Sequence, residues 1–150
     1  MFIQVKNLTK TFNNNPAVSD ISFDIKKNQT VGLLGPNGCG KTTSIGMMLG
    51  LIKPSGGEII IDNKNLIKEK RDGILSKINF ASPYIELPKK LTVKQNLEIY
   101  GRLYSVKNLS ERINELSNEL DLKQFLKKKT GELSSGQKNR VSLAKSLINK

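Results

Sequence analysis

The chain has 150 residues, of which 37% are hydrophobic and 25% charged, a composition typical of a globular domain rather than of a disordered or fibrous protein. Its longest apolar-leaning stretch, residues 44–52, contains two glycines and is far shorter than the roughly 20 apolar residues that cross a bilayer. A single cysteine, Cys39, excludes an internal disulfide. With no secretory signal visible at the N-terminus, the sequence favours the cytoplasm.

The net charge of +12 comes mainly from lysine. Proteins that bind nucleic acid or an anionic membrane have such a charge. Here the lysines are scattered, apart from short runs such as residues 127–129, and aromatic residues are only 5%. This distribution favours a lysine-coated surface and disfavours a nucleic-acid partner.

Alternating apolar and polar residues predict two paired strands over residues 2–8 and 18–25, with a turn cluster at residues 13–16. The continuous apolar run at residues 30–34 is typical of a strand buried on both faces in a parallel sheet. Residues 58–62 and 78–81 predict two further strands, and residues 41–51 a helix with one buried side.

The second half of the chain has a helical pattern over residues 91–126. Thr92 can cap a first helix, and Ser110 is expected to begin a second one, with Glu111 near its positive end. Strands and a glycine loop followed by helices predict an α/β core with a helical subdomain.

Residues 35–42 read GPNGCGKT and match the phosphate-loop pattern G-x-x-x-x-G-K-[ST] at every fixed position. Glycines let successive backbone N–H groups point at phosphate oxygens, and Lys41 supplies a positive charge to the β- and γ-phosphates. The Thr42 hydroxyl is a hard oxygen ligand for Mg²⁺, while Cys39 is expected to be a small filler. The predicted nucleotide-binding residues are Gly35, Pro36, Asn37, Gly38, Cys39, Gly40, Lys41, Thr42 and Thr43.

Residues 133–137 read LSSGQ and precede a helix with apolar residues on one side. Serines and a glycine at a helix N-terminus form an anion site without a charged side chain, although alone they would be an ordinary helix cap. Located downstream of a phosphate loop and a helical insert, the segment resembles the LSGGQ signature of ABC ATPases, with Ser135 in place of a glycine. Residues 51–59 also resemble that family, so the likeness covers nearly the whole chain.

The resemblance implies a P-loop NTPase (RecA-like) core with an N-terminal antiparallel β subdomain and an inserted α-helical subdomain. The expected bounds are residues 1–82 for the β subdomain and core, about 83–135 for the helical subdomain, and 136–150 for the signature helix. The family also implies ATP and Mg²⁺ as ligands. Phe12 would stack on adenine, its alternative role being a core residue of the first hairpin. The signature residues expected to contact ATP are Ser134, Ser135, Gly136 and Gln137.

The sequence departs from the family in two places. Residues 82–84 read SPY where most members carry a glutamine that touches the metal and the attacking water. The family's Walker B aspartate, catalytic glutamate and switch histidine would lie beyond Lys150. We therefore expect a domain that is incomplete at its C-terminus, has no catalytic residue of its own and does not hydrolyse ATP efficiently by itself.

The resemblance implies an ATP-binding subunit of an ABC transporter that works as a head-to-tail dimer of nucleotide-binding domains. Its other partner would be a separate transmembrane permease subunit, which would hold it at the cytoplasmic face of the membrane. Residues 91–104 most resemble those of ATPases from exporters whose membrane subunit is a separate chain. The alternatives are a soluble ABC protein acting on nucleic acid or ribosomes and an inactive truncated fragment.

Overall fold

The polypeptide divides into two structural units, Met1–Ile78 and Asn79–Lys150, which are described separately. The structure is a computed structural model and describes residues 2–69, 71–81 and 87–149. The departure at residues 82–84 thus lies outside the described residues. The expected boundary near residue 82 stays a prediction.

The first unit contains a four-stranded antiparallel sheet in the order β2-β1-β3-β4. Its strands are β1 (Ile3–Phe12), β2 (Asn15–Ile25), β3 (Gly56–Ile61) and β4 (Lys64–Asn65). The predicted hairpin is confirmed, and its turn is formed by Asn13 and Asn14, which have φ of 46° and 64°. Asparagine tolerates this left-handed conformation better than most residues do.

Apolar residues on one face of the sheet form the core of this unit. Val5 lies opposite Phe23 of β2 and opposite Ile59 of β3, so the three strands share one apolar layer. Met47 of α1 (Lys41–Met48) is fully buried in the same cluster. The short helix α2 (Asp72–Leu75) contributes Ile74. Burial of this layer therefore holds α1 and the loop before it against the sheet.

Two of the predicted strands are wrong, because neither residues 30–34 nor residues 78–81 lie in a strand. The prediction read the apolar run as a buried strand, but Val31 and Leu34 are 47% and 91% exposed. A strand requires a hydrogen-bonded neighbour. Within the described part of the chain, the four strands of the sheet pair only with one another.

The second unit consists of helices, as predicted for residues 91–126. Helix α3 (Val93–Leu103) begins at Thr92, whose side chain accepts a hydrogen bond from the Gln95 amide in a capping box. Helix α4 (Leu109–Glu119) begins one residue before Ser110, because Asn108 adopts a left-handed conformation at its N-cap. Helix α5 (Ser135–Leu147) follows two single turns of 3₁₀-helix.

One apolar cluster joins the three helices of this unit. Leu97 of α3, Leu116 of α4 and Val141 of α5 are each fully buried within it. The Lys145 ammonium of α5 lies 4.8 Å from the centre of the Tyr100 ring, and partial burial lowers the pKa of Lys145 below its usual value. Among the described helices, none is long and apolar enough to span a membrane.

Candidate nucleotide-binding site

The glycine loop of the first unit curls immediately before α1. Gly38 and Gly40 have φ of 85° and 89°, a region that side chains with a Cβ rarely adopt. A Cβ on Gly40 would also collide with the carbonyl oxygen of Ala17 and lie 2.9 Å from a methyl group of Val18. Gly40 is therefore required both by the curl of the loop and by its close packing against β2.

Lys41 is folded back over this loop. Its Nζ donates hydrogen bonds of 2.7 Å to the carbonyl oxygens of both Gly35 and Pro36. The thiol sulfur of Cys39, a weak acceptor, lies 3.8 Å from the same nitrogen. An ammonium group has three N–H donors, and the one that faces this weak sulfur acceptor would be available to a stronger acceptor such as a phosphate oxygen.

The start of α1 leaves its first backbone N–H groups available. Gly40 is the N-cap and has no side-chain oxygen to accept from them, and the first turn carries no acidic residue. Instead the Ser44 hydroxyl donates to the Gly40 carbonyl at 2.9 Å, which fixes the first turn from within. This uncapped helix N-terminus is suited to an anion.

The loop residue predicted to ligate Mg²⁺ is Thr42. Thr42 is exposed on the first turn of α1. The described residues contain no cluster of three or more His, Cys, Asp or Glu that could hold a metal. Mg²⁺ commonly binds through a few protein oxygens together with phosphates and water. Thr42 therefore fits a metal that arrives with the nucleotide.

A cavity of about 460 Å³ lies between the loop and β2, lined by Lys41, Cys39 and Gly38 on one side and by Ala17 and Val18 on the other.

Phe12 is at the end of β1, next to the hairpin turn. Its ring is 46% exposed, and the Lys10 ammonium lies 4.7 Å from the ring centre. Phe12 is therefore not part of the hairpin core, and its ring is partly exposed beside the Lys10 ammonium.

The signature segment of the second unit is a helix start. Ser134 is the N-cap of α5: its hydroxyl oxygen accepts from the Gln137 amide at 3.3 Å, and the Gln137 side chain accepts from the Ser134 amide at 2.9 Å. Leu133 is buried and anchors the segment, whereas Ser134, Ser135 and Gly136 are exposed. Ser134 and Gly136 border a cavity of about 320 Å³. The residues that cap the helix are thus the same residues that the sequence predicts to bind an anion.

Sequence reasoning missed several supporting residues. Gln137 is predicted as an ATP contact, but its capping role was missed, although the pattern S-x-x-Q over residues 134–137 signals a capping box. The Arg140 guanidinium lines the same cavity and lies 3.6 Å from the Asp121 carboxylate. No local signal indicates that Ala17 and Val18 support Gly40, because that contact depends on the fold.

An antiparallel β layer, a glycine loop leading into α1 and a helical unit together define a P-loop nucleotide-binding domain. The chain belongs to the ABC transporter family, whose model matches residues 18–150.

Three similar proteins illustrate the relationship. The zinc import ATP-binding protein ZnuC of Rickettsia bellii is 39% identical over 148 residues, covering 99% of this chain and 58% of that protein. The probable multidrug ABC transporter ATP-binding protein YbhF of Escherichia coli is 34% identical over 148 residues, covering 97% of this chain and 25% of that protein. The ATP-binding cassette MJ0796, solved as a dimer in a post-hydrolysis state with ADP and Pi, superposes with a TM-score of 0.82 at 30% identity. That match covers 99% of this chain and 70% of the cassette.

Proposed function

We propose that the chain binds MgATP as part of the ATP-binding subunit of an ABC transporter. The observation that carries this proposal is the phosphate loop. Lys41 lies over a curled backbone, with the uncapped start of α1 beneath it. A positive side chain and a helix N-terminus at one place favour a polyphosphate. Because the chain spans 58% of the length of its zinc-import relatives, the activity of the whole protein is part of the proposal.

Each part of the nucleotide would have its own contacts. Phe12 would stack on the adenine, since its ring is almost half exposed. The loop backbone and Lys41 would hold the phosphates, and Thr42 would ligate the Mg²⁺. The metal, when bound, neutralises charge on the phosphate oxygens. The residues of this chain would bind and orient the nucleotide.

Ser134 and Gly136 would bind the γ-phosphate of an ATP held by a second copy, in a head-to-tail dimer. Both are exposed at the N-terminus of α5, where hydroxyl and backbone donors are available. The structure of MJ0796, 30% identical, is dimeric and bound to ADP and Pi, which supports the dimer in this proposal. ATP-driven closure of the dimer, followed by hydrolysis, would act on a separate membrane permease at the cytoplasmic face.

We further propose an exporter role, from the pattern of residues 91–104. The names of the relatives do not indicate one direction of transport, because one relative is named for zinc import and another as a probable multidrug transporter.

Calorimetric titration with MgATP tests the binding step, and co-purification of the full-length protein with a membrane subunit tests the assignment to a transporter. We expect saturable MgATP binding that a tenfold excess of free adenosine does not reverse, because the phosphates supply most of the contacts. Absence of MgATP binding would overturn the proposal. A full-length protein that co-purifies with ribosomes rather than with a permease would favour a soluble ABC protein.

A further inference from the structure

Two lysine-containing segments of the second unit, far apart in sequence, lie side by side. Residues 89–94 and 126–131 exchange backbone hydrogen bonds as short antiparallel strands do. The amides of Val93 and Lys94 donate to the carbonyl oxygens of Lys128 and Leu126 at 3.0 Å, and Thr92 forms an antiparallel bridge with Lys129. Lysines that are scattered along the sequence are thereby gathered in space.

Buried polar contacts hold this pairing in place. The Thr130 hydroxyl, which is buried, donates to the carbonyl oxygen of Pro88 at 2.7 Å. Asn96 is 1% exposed, and its amide nitrogen donates to the carbonyl oxygen of Thr92 at 3.1 Å. These side-chain bonds add to the backbone hydrogen bonds between residues 89–94 and 126–131, and the paired segments form a platform.

This platform and the adjoining 3₁₀ turn carry an exposed group of lysines, which we call the lysine patch. Lys94 comes from one segment and Lys123 and Lys127 from a second, and the three line one cavity of about 330 Å³, together with Ser110 and Asn114. The cavity shows that these three side chains converge. The patch consists of Lys90, Lys94, Lys123, Lys127, Lys128 and Lys129, all of them exposed.

Few acidic groups oppose this charge. Glu98 lines the same cavity and lies 3.8 Å from the Lys94 ammonium, an exposed pair that neutralises little. Asp121 faces Arg140 at 3.6 Å, and Glu132 follows the platform in the next 3₁₀ turn. Among the described residues around the patch, lysine therefore outweighs the carboxylates.

We propose that the lysine patch binds an anionic lipid surface. Clustered lysines attract the negative headgroups of a membrane without requiring a shaped pocket. Sites for single-stranded nucleic acid typically add exposed aromatic rings on which the bases stack. The one aromatic residue in residues 88–94 and 123–129 is Phe125, which is 4% exposed. The location at a membrane rests on the proposed function, whereas the charge of the patch does not.

Vesicle sedimentation of the full-length protein tests this proposal. Lys123→Gln/Lys127→Gln/Lys129→Gln removes three patch charges, and Lys26→Gln/Lys27→Gln/Lys64→Gln removes three exposed lysines of the first unit as a matched control. On vesicles of phosphatidylcholine with phosphatidylserine, we expect the patch variant to bind about a hundredfold more weakly, since each lysine contributes about fivefold. The control variant should bind like the parent, and pure phosphatidylcholine should bind none of the three proteins.

Binding of the parent should also weaken steeply between 0.05 and 0.5 M salt, as screening predicts. Equal losses in the two triple variants would overturn the proposal, because net charge alone would then explain the binding. Salt-sensitive binding of an RNA oligonucleotide that only the patch variant loses, without vesicle binding by the parent, would also overturn it. MgATP affinity of the parent and of the patch variant is measured in parallel. Absence of MgATP binding by the parent would refute the nucleotide proposal independently of the vesicle result.

Discussion

The Lys41 ammonium lies 2.7 Å from the carbonyl oxygen of Gly35, six residues earlier in the chain. The same ammonium donates a second hydrogen bond of 2.7 Å to the carbonyl oxygen of Pro36. Lys41 therefore acts as a clasp, because it links the end of the phosphate loop to its beginning. The lysine thus has two roles, because it shapes the backbone that would receive the phosphates and also carries the charge that would attract them. Removing the lysine side chain should therefore abolish both roles at once.

Changing Lys41 to Ala should weaken MgATP binding roughly ten- to hundredfold. A hydrogen bond to a charged group contributes about 1.5–3 kcal/mol, and the loop also loses its clasp. Calorimetry measures the change, with Lys27→Ala as a control on an exposed lysine outside the site. Unchanged MgATP affinity in the Lys41 variant would contradict the assignment of the phosphate loop.

Changing Phe12 to Ala should weaken ATP binding by about 1–3 kcal/mol, the range for stacking of a base on an aromatic ring. The Mg²⁺ dependence of binding should stay the same, because the ring would contact the base and not the phosphates. Phe2 is 40% exposed against 46% for Phe12, so Phe2→Ala is a matched control that should bind ATP normally. A fluorescent adenine analogue that responds equally to both variants would show that Phe12 is not the stacking residue.

Replacing each of two glycines of the candidate site by alanine should change the stability by very different amounts. Gly40 has φ of 89° and packs against β2, so Gly40→Ala should destabilise the first unit by about 2 kcal/mol or more through backbone strain and collision. Gly136 has open space around the position of a Cβ, so Gly136→Ala should leave the stability within about 0.5 kcal/mol. Thermal unfolding measures both, and an equal loss of Tm in the two variants would contradict the loop geometry described above.

Changing Ser134 to Asp should abolish ATP-driven dimerisation of the full-length protein and spare ATP binding by the monomer. Aspartate is as good an N-cap as serine, so α5 should remain folded, but its charge would repel the γ-phosphate of the facing ATP. Asn139→Asp places the same charge on an exposed position of α5 and serves as the control. Sedimentation velocity with and without ATP would show the difference. Normal dimerisation of the Ser134 variant would mean that the signature is only a helix cap.

Local patterns predicted much of the fold and of the site. Alternation along β1 and β2 predicted the hairpin, and the G-x-x-x-x-G-K-T pattern predicted the start of α1. The strand predicted over residues 30–34 was wrong, because apolar character indicates burial, whereas a strand also needs a neighbouring strand to hydrogen-bond with. The clasp between Lys41 and Gly35 and the convergence of Lys94, Lys123 and Lys127 depend on tertiary geometry that no local pattern contains.

The capping box of α5 has a consequence for how firmly the signature could bind. Because the Ser134 oxygen already accepts from the Gln137 amide, the rotamer of the serine is fixed before any ligand arrives. Side chains that are mobile in the free protein lose rotamer entropy on binding, about 0.5–1.5 kcal/mol for a flexible one. Here that loss accompanies the folding of the helix, so the hydroxyl is preorganised, and a phosphate would meet a donor whose position is already set.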